Sequence, residues 1–156
     1  MSGTVLAVAG PAAAASPHFV RASATLSGAN LVVSFKEAGL GDNQLINYLA
    51  SADATATYVC VNRGGANPSA ANKTTVNGPV SATGSFSSGK NGQVSASLTL
   101  SPPSEGSFSC PNGQSLRLAR VSYSDVAVDD TTNGESRDIS GTYSTGCLLP
   151  QVRNAC

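Results

Sequence analysis

Apolar and polar residues alternate along several stretches of this chain, and this alternation is the feature that most restricts its fold. A period of two places successive side chains on opposite faces of an extended strand, whereas a helix needs apolar residues three and four positions apart. The alternating runs are separated by glycine, asparagine, serine and proline, which favour turns. The chain is therefore predicted to be all-β.

Three pairs of alternating runs predict hairpins, because each pair is joined by a short segment that contains glycine and asparagine. The pairs are 20–26 with 31–35, 80–86 with 94–100, and 116–128 with 139–143. In the run 116–128 the alternation slips at Ala119-Arg120 and again at Ser124-Asp125. A slip of one residue predicts a β-bulge or a break at each of these positions.

Two further segments complete the pattern. Residues 54–62 predict a strand with apolar residues on both faces, as in the central strand of a sandwich. Asp42 can cap a short helical turn, which would carry Leu45, Tyr48 and Leu49 at helical spacing. About seven short strands of this kind predict an immunoglobulin-like β-sandwich, with a small closed β-barrel as the alternative. The sequence contains no tryptophan, so the immunoglobulin label expresses likeness rather than membership.

The cysteines predict a disulfide framework. The chain has four of them, none in a Cys-x-x-Cys pair, and its single histidine is His18. An even number without zinc-ligand spacing fits disulfides in an oxidising compartment. Three pairings are possible, and we favour Cys60–Cys110, inside the patterned region, with Cys147–Cys156, which closes a short C-terminal loop.

The first fifteen residues resemble a signal peptide. A short apolar run at 4–10 is followed by an alanine-rich stretch, in which Ala13 and Ala15 occupy the small-residue positions of a cleavage site. No lysine or arginine precedes that run, unlike a complete signal peptide. The predicted organisation is a signal-peptide-like segment at 1–15, a β-sandwich domain at 16–145 and a cysteine-containing tail at 146–156. The predicted location is secreted.

Charge and hydropathy argue against nucleic-acid binding and against a membrane-spanning helix. The chain has nine basic and nine acidic residues, and charged residues make up only 12% of it. The arginines and lysines are scattered singly, so there is no basic stripe that would indicate nucleic-acid binding. No apolar run approaches the ~20 residues of a membrane-spanning helix, so no membrane span is predicted.

Most of the region 16–145 also resembles a known group. The segments "LVVSFKEAGLG", "YLASADATATYVCVNRGG", "GPVSATGSFSSGKNGQVSASLTLSPP" and "VSYSDVAVDDTTNG" are similar to those of small, uncharacterised secreted β-rich proteins of actinobacterial type. The resemblance implies export and a β-rich fold. It implies no activity and no functional residues, because that group has no assigned function, and it does not extend to 147–156.

No catalytic constellation or cofactor site is predicted. His18 lies just after the predicted cleavage site, where a base could not be held firmly against a nucleophile. The sharpest candidate is a weak calcium site, because a turn rich in carboxylate and amide oxygens can bind calcium. Its residues are Asp125, Asp129, Asp130 and Asn133. The alternative is an ordinary hairpin turn with solvated acids, since the EF-hand glutamate position is occupied by Ser140.

These observations favour an exported, non-catalytic binding or structural module that acts at a cell surface or matrix, with surface polysaccharide or a secreted protein as its partner. One alternative is a secreted inhibitor or effector that binds a protein through loops 63–79 and 101–115. A second is a small hydrolase with an unrecognised site. The four tyrosines are expected to pack in or near the core rather than to form a binding platform.

Overall fold

The computed structural model describes residues 16–67 and 72–156. The predicted signal-peptide-like segment 1–15 lies outside the described residues. The described ranges contain no helix that is long and apolar enough to cross a membrane. They form eight strands: β1 (His18–Ser27), β2 (Asn30–Ala38), β3 (Leu45–Val61), β4 (Lys73–Ser87), β5 (Val94–Leu100), β6 (Ser115–Asp130), β7 (Glu135–Ile139) and β8 (Tyr143–Ser144).

The strands form two antiparallel sheets that pack face to face, so the predicted all-β sandwich is confirmed. The smaller sheet has the order β1-β2-β5, and the larger has the order β4-β3-β6-β7, with β8 also paired to β6. Strand pairing joins strands within each sheet, which is the arrangement of a sandwich and not of a closed barrel. The immunoglobulin-like detail stays a prediction: the fourth strand pairs with the third, whereas in constant-type immunoglobulin domains it lies beside the fifth.

The long strand β3 lies at the centre of the larger sheet and pairs with β4 on one side and β6 on the other. Its inward positions from Ile46 to Ala56 are buried, while the positions between them are wholly or partly exposed. The predicted helix at 42–49 is therefore wrong. The alternation that begins at Ile46 continues without interruption into the predicted strand 54–62, and pairing on both sides overrides the short helical spacing.

Aromatic rings fill the end of the core where β2 ends and β3 begins. Phe35 and Tyr48 lie with ring centroids 4.6 Å apart, and Phe19 meets both rings edge-on. Burying a side chain of this size is worth roughly 1.5–3 kcal/mol. The expectation that the tyrosines pack is confirmed, since Tyr48 and Tyr123 are buried and Tyr58 and Tyr143 are half-buried.

The first predicted hairpin is confirmed, with Ser27 opposite Asn30 across a two-residue turn. Gly28 lies in the left-handed region at φ +60°, which glycine adopts without strain. One position departs from the predicted alternation, because a bulge between Phe19 and Arg21 reverses the facing of the strand. Phe19 therefore points into the core and Val20 is 48% exposed.

The second predicted hairpin is wrong. Strands β4 and β5 both exist, but β4 pairs with β3 in the larger sheet and β5 pairs with β2 in the smaller one. The connection at 88–93 crosses from one sheet to the other. It is held by the buried Ser88 hydroxyl, which donates to the Gly41 carbonyl (2.6 Å) and accepts from the Gln44 amide (2.8 Å). This long-range anchoring outweighs the local turn preference of Asn91-Gly92.

The third hairpin and both phase slips are confirmed. Asp130 pairs with Glu135 across the turn that contains Asn133-Gly134. The register between β3 and β6 shifts at two places: Ala119 is left over opposite Thr57 and Tyr58, and the second shift falls between Ser124 and Ala127. The predicted return strand 139–143 is interrupted, since β7 ends at Ile139 and β8 begins at Tyr143.

The structure contains both expected disulfides. Cys60–Cys110 ties the loop that follows β5 to the end of β3, and Cys147–Cys156 closes the C-terminal tail. The tail covers the outward face at the end of β3, where Val59 and Val61 form a second, smaller apolar cluster with Ala119 and Ala155. This explains why the end of β3 is apolar on both faces.

We expect the two disulfides to stabilise the fold unequally. They close loops with sequence separations of 50 and 9 residues, so the loop-closure entropy they remove from the unfolded chain is worth about 4 and about 3 kcal/mol respectively. Urea unfolding of Cys60→Ser/Cys110→Ser should show a lower midpoint than that of Cys147→Ser/Cys156→Ser. A lower midpoint for Cys147→Ser/Cys156→Ser than for Cys60→Ser/Cys110→Ser would contradict this prediction.

Candidate functional site

A groove of about 440 Å³ opens where the interruption between β7 and β8 faces the second bulge of β6. The bulge bends β6 locally. Residues 140–142, between β7 and β8, do not pair with β6, so this side of β6 is left open. The residues that line the groove are Ser124, Asp125, Val126, Asp138, Ile139, Ser140, Gly141 and Thr142.

The groove presents polar groups above an apolar base. Asp125 and Asp138 are both exposed and supply carboxylates, and hydroxyls come from Ser124, Ser140 and Thr142. The buried side chains of Val126 and Ile139 lie beneath them and belong to the main core. Carboxylates accept hydrogen bonds, and hydroxyls both donate and accept them, so this lining suits a ligand that is rich in hydroxyl groups.

The backbone around the groove adopts uncommon conformations. Asp125 has φ +52°, in the left-handed region that disfavours most side chains, and Gly141 has φ +110°. A Cβ atom at Gly141 would lie 3.3 Å from the Tyr143 hydroxyl. Backbone strain of this kind is common at binding sites, where it directs a side chain or backbone group toward a ligand.

A row of small outward-facing residues leads across the larger sheet into the groove. Ser81 of β4 pairs with Ser51 of β3, Ser51 pairs with Ala127 of β6, and Ala127 pairs with Asp138 of β7. Four strands in register span about 14 Å. An extended ligand that lies in the groove can therefore continue over the small side chains of this row.

The residues of the predicted calcium site do not converge. Asp130 is fully buried, and its two carboxylate oxygens accept hydrogen bonds from the backbone and side-chain amides of Asn133, both at 2.8 Å. Asp129 is the neighbour of Asp130 in β6 and faces the opposite side of the sheet, while Asp125 lies in the groove. Within 16–67 and 72–156, no group of three or more His, Cys, Asp or Glu side chains could hold a metal ion. Asp130 and Asn133 thus belong to the turn.

A buried carboxyl pair lies at the aromatic end of the core. Glu37 is the last inward-facing residue of β2, and it is 0% exposed, as is Asp130. The Tyr48 hydroxyl donates to Oε1 of Glu37 at 2.7 Å, and Asp130, which pairs with Tyr48 across β3 and β6, raises the pKa of the same carboxyl. The network links β2 of the smaller sheet to β3 and β6 of the larger one.

Burial strongly perturbs the groups of this network. The pKa of Glu37 is raised from 4.5 to about 7: desolvation is the largest cause, the hydrogen bond from Tyr48 lowers the pKa, and Asp130 and Glu135 raise it. Desolvation and the adjacent Glu37 also raise the pKa of Tyr48. The Glu37 carboxyl is thus largely protonated below neutral pH.

Sequence reasoning missed the Glu37 network, although a signal was present. Leu31, Val33 and Phe35 are inward-facing residues of β2, and Glu37 continues the same phase two residues later. A carboxyl in an inward position requires partners from the opposite sheet. The partners Tyr48 and Asp130 are 11 and 93 positions away in the sequence, so their identity followed only from the fold.

The loops considered for an inhibitor differ in the structure. The proposed loop 63–79 is too long, because β4 begins at Lys73 and pairs with β3 from there onward. The loop between β5 and β6 is a genuine irregular segment. It is fixed at Cys110 by the disulfide to Cys60 and at the Pro103 carbonyl, which accepts a 2.6 Å hydrogen bond from Tyr58.

Comparison with known proteins finds no matching family model, curated protein or solved structure. The resemblance to secreted actinobacterial-type proteins therefore stays a prediction.

The strain at Asp125 predicts how substitutions there change stability. Asp125→Gly should leave the free energy of unfolding unchanged or raise it by up to about 1 kcal/mol, because glycine adopts positive φ freely. Asp125→Val should lower it by about 1–2 kcal/mol, because a β-branched residue is disfavoured there. Chemical denaturation measures both changes.

The matched control is Asp138→Val on the other side of the groove. Asp138 lies in regular β7, where valine is a good strand former, so its free energy of unfolding should change by less than about 0.5 kcal/mol. Equal losses for valine at positions 125 and 138 would contradict the assignment of strain to the bulge.

Proposed function

We propose that this protein is a secreted, non-catalytic β-sandwich module that binds hydroxyl-rich polymers, such as surface polysaccharide, at a cell surface or in a matrix. The observation that carries the proposal is the groove between the bulge of β6 and the break between β7 and β8. It combines two exposed carboxylates with three hydroxyl side chains in one concave place.

The chemistry of the groove matches a neutral polyol better than an anionic ligand. Each carboxylate can accept hydrogen bonds from two neighbouring hydroxyls of a ligand, and Ser124, Ser140 and Thr142 can serve as donors or acceptors for the rest. The outward row from Ser81 to Ala127 adds small side chains beside the groove, over which a polymer can continue.

The disulfides support the extracellular location. Two bridges and no free cysteine are found among the described residues, a composition suited to an oxidising compartment. The bridges fix the ends of otherwise irregular segments to the sandwich, which favours persistence outside the cell. The signal-peptide-like character of residues 1–15 points the same way.

The location of the carboxyl with the raised pKa favours binding over catalysis. A general acid needs a raised pKa and contact with the substrate. Within the described part of the chain, Glu37 is the carboxyl whose pKa rises to about 7, and it is enclosed between the sheets. The carboxyls that a ligand can reach are Asp125 and Asp138, which lie at the surface of the groove.

Binding isotherms on insoluble polysaccharides and on cell wall test this proposal. The oxidised protein starting at Ser16 should be retained saturably on at least one of them. Asp125→Asn/Asp138→Asn should weaken retention roughly tenfold or more, because hydrogen bonds to charged groups are each worth about 1.5–3 kcal/mol.

The control variant removes two acidic charges outside the groove, exposed Asp42 and half-buried Glu105, as Asp42→Asn and Glu105→Gln, and changes the net charge equally. It should bind like the unmodified protein, since Asp42 and Glu105 lie in the loops after β2 and β5. Absence of saturable retention on every polymer would refute the proposed function. Equal weakening by both double variants would refute the groove as the binding site.

The clamped loop 101–114 favours a second candidate function, a secreted inhibitor or effector that inserts this loop into a protein partner. Ser104, Gly106 and Ser107 are exposed, while Pro103 and Cys110 are fixed to β3. A preformed loop binds with less loss of conformational entropy. Capture of one secreted protein at fixed stoichiometry, lost in Cys60→Ser/Cys110→Ser and kept in Asp125→Asn/Asp138→Asn, would support this function over polysaccharide binding.

A further inference from the structure

One of the two carboxyl oxygens of Glu37 has no hydrogen-bond donor among the described residues. Its Oε1 accepts from the Tyr48 hydroxyl, but among the described residues no N–H or O–H group donates to its buried Oε2. The buried Asp130 carboxyl, from the position in β6 that pairs with Tyr48, also acts on Glu37. Asp130 already accepts hydrogen bonds from Asn133 on both of its oxygens.

Two carboxyl groups can form a hydrogen bond only when one of them holds a proton. Because Asn133 donates to both oxygens of Asp130, Asp130 is the acceptor of such a hydrogen bond and the proton is placed on Glu37. With the proton on Oε2, Glu37 donates to Asp130 and accepts from Tyr48. Every polar atom of the pair then has a partner.

We propose that Glu37 and Asp130 share one proton and form a latch between the two sheets, which is closed when the proton is present and loosened when it leaves. The latch joins the last inward-facing residue of β2 to the last residue of β6. It therefore holds the end of the sandwich that contains the β2–β3 loop and the turn at 131–134.

Among the residues that the structure describes, no positively charged group acts on the pKa of Glu37. The ionisable groups that act on Glu37 are Tyr48 from β3, Asp130 from β6 and Glu135 from β7, and all three are acids. Arg137, the next inward position of β7, donates to the Phe19 carbonyl at 3.1 Å. Loss of the proton would place two adjacent negative charges in an enclosed site, which is strongly unfavourable.

The direction of the pH effect follows from the raised pKa. Between pH 4.5, the ordinary pKa of Glu37, and about 7, the folded protein holds a proton that the unfolded chain has released. Stability from this group is therefore complete below about pH 4.5, declines as the pH rises toward 7, and is lost above it. The latch makes the module acid-stable and weakens one end of it at alkaline pH.

The first test is the pH dependence of the melting temperature of the full protein between pH 5 and 8. The melting temperature of the unmodified protein should fall across this range. Glu37→Gln should remove most of the fall, because its amide nitrogen can donate to Asp130 and its oxygen can accept from Tyr48 at any pH. Asp53→Asn, a control at an exposed position of β3, should keep the slope of the unmodified protein.

The second test observes the proton directly and does not depend on a variant that folds. The side-chain carboxyl carbon of Glu37, followed by NMR in the unmodified protein, should titrate near pH 7. Tyr48→Phe should move that titration to higher pH, since the Tyr48 hydrogen bond favours the charged form. Titration of Glu37 near pH 4.5, or the same melting slope in Glu37→Gln and the unmodified protein, would overturn the proposal.

Discussion

The small side chains along the inward face of β3 are the constraint on which the rest of the sandwich depends. Four alanines, at positions 50, 52, 54 and 56, occupy the centre of the larger sheet and are almost completely buried. Because they are small, larger residues from the neighbouring strands can fill the space between the sheets, among them Leu31 of β2 and Tyr123 of β6. Tyr123 reaches far enough to donate from its hydroxyl to the Ala29 carbonyl in the first hairpin at 2.7 Å. The small alanines of β3 thus leave the room that these larger side chains fill.

Two irregularities in β6 create two distinct surfaces on an otherwise regular sandwich. The bulge at Ala119 accompanies the second apolar cluster, on which the disulfide-closed tail packs. The bulge near Asp125 and the break after Ile139 open the groove on the opposite part of the strand. In both places a departure from strand pairing creates a surface that a regular hairpin would not have. The proposed binding function depends on the second departure and is independent of the buried pair of Glu37 and Asp130.

Much of the fold was predictable because it is encoded in local periodicity. The strand character of most segments, the first and last hairpins and both slips in β6 could be read from neighbouring residues. Two errors came from local signals that distant contacts override. Asn91-Gly92 suggested a hairpin, but Ser88 forms hydrogen bonds with Gly41 and Gln44 in the loop between β2 and β3. Leu45, Tyr48 and Leu49 have helical spacing, but pairing with β4 and β6 keeps them extended. The groove and the Glu37 network could not be predicted, because each joins residues whose proximity depends on the register of separate strands.

The most direct test of the central claim is to map ligand contacts residue by residue. Backbone amide chemical shifts of the labelled protein would be followed while soluble fragments of a retained polysaccharide are added. Our account predicts saturable shifts concentrated at 124–126 and 138–142, with smaller ones along the row through Ser51 and Ala127. Shifts concentrated in the loop 101–114, or absent from the groove at saturation, would contradict the assignment of the groove as the binding surface.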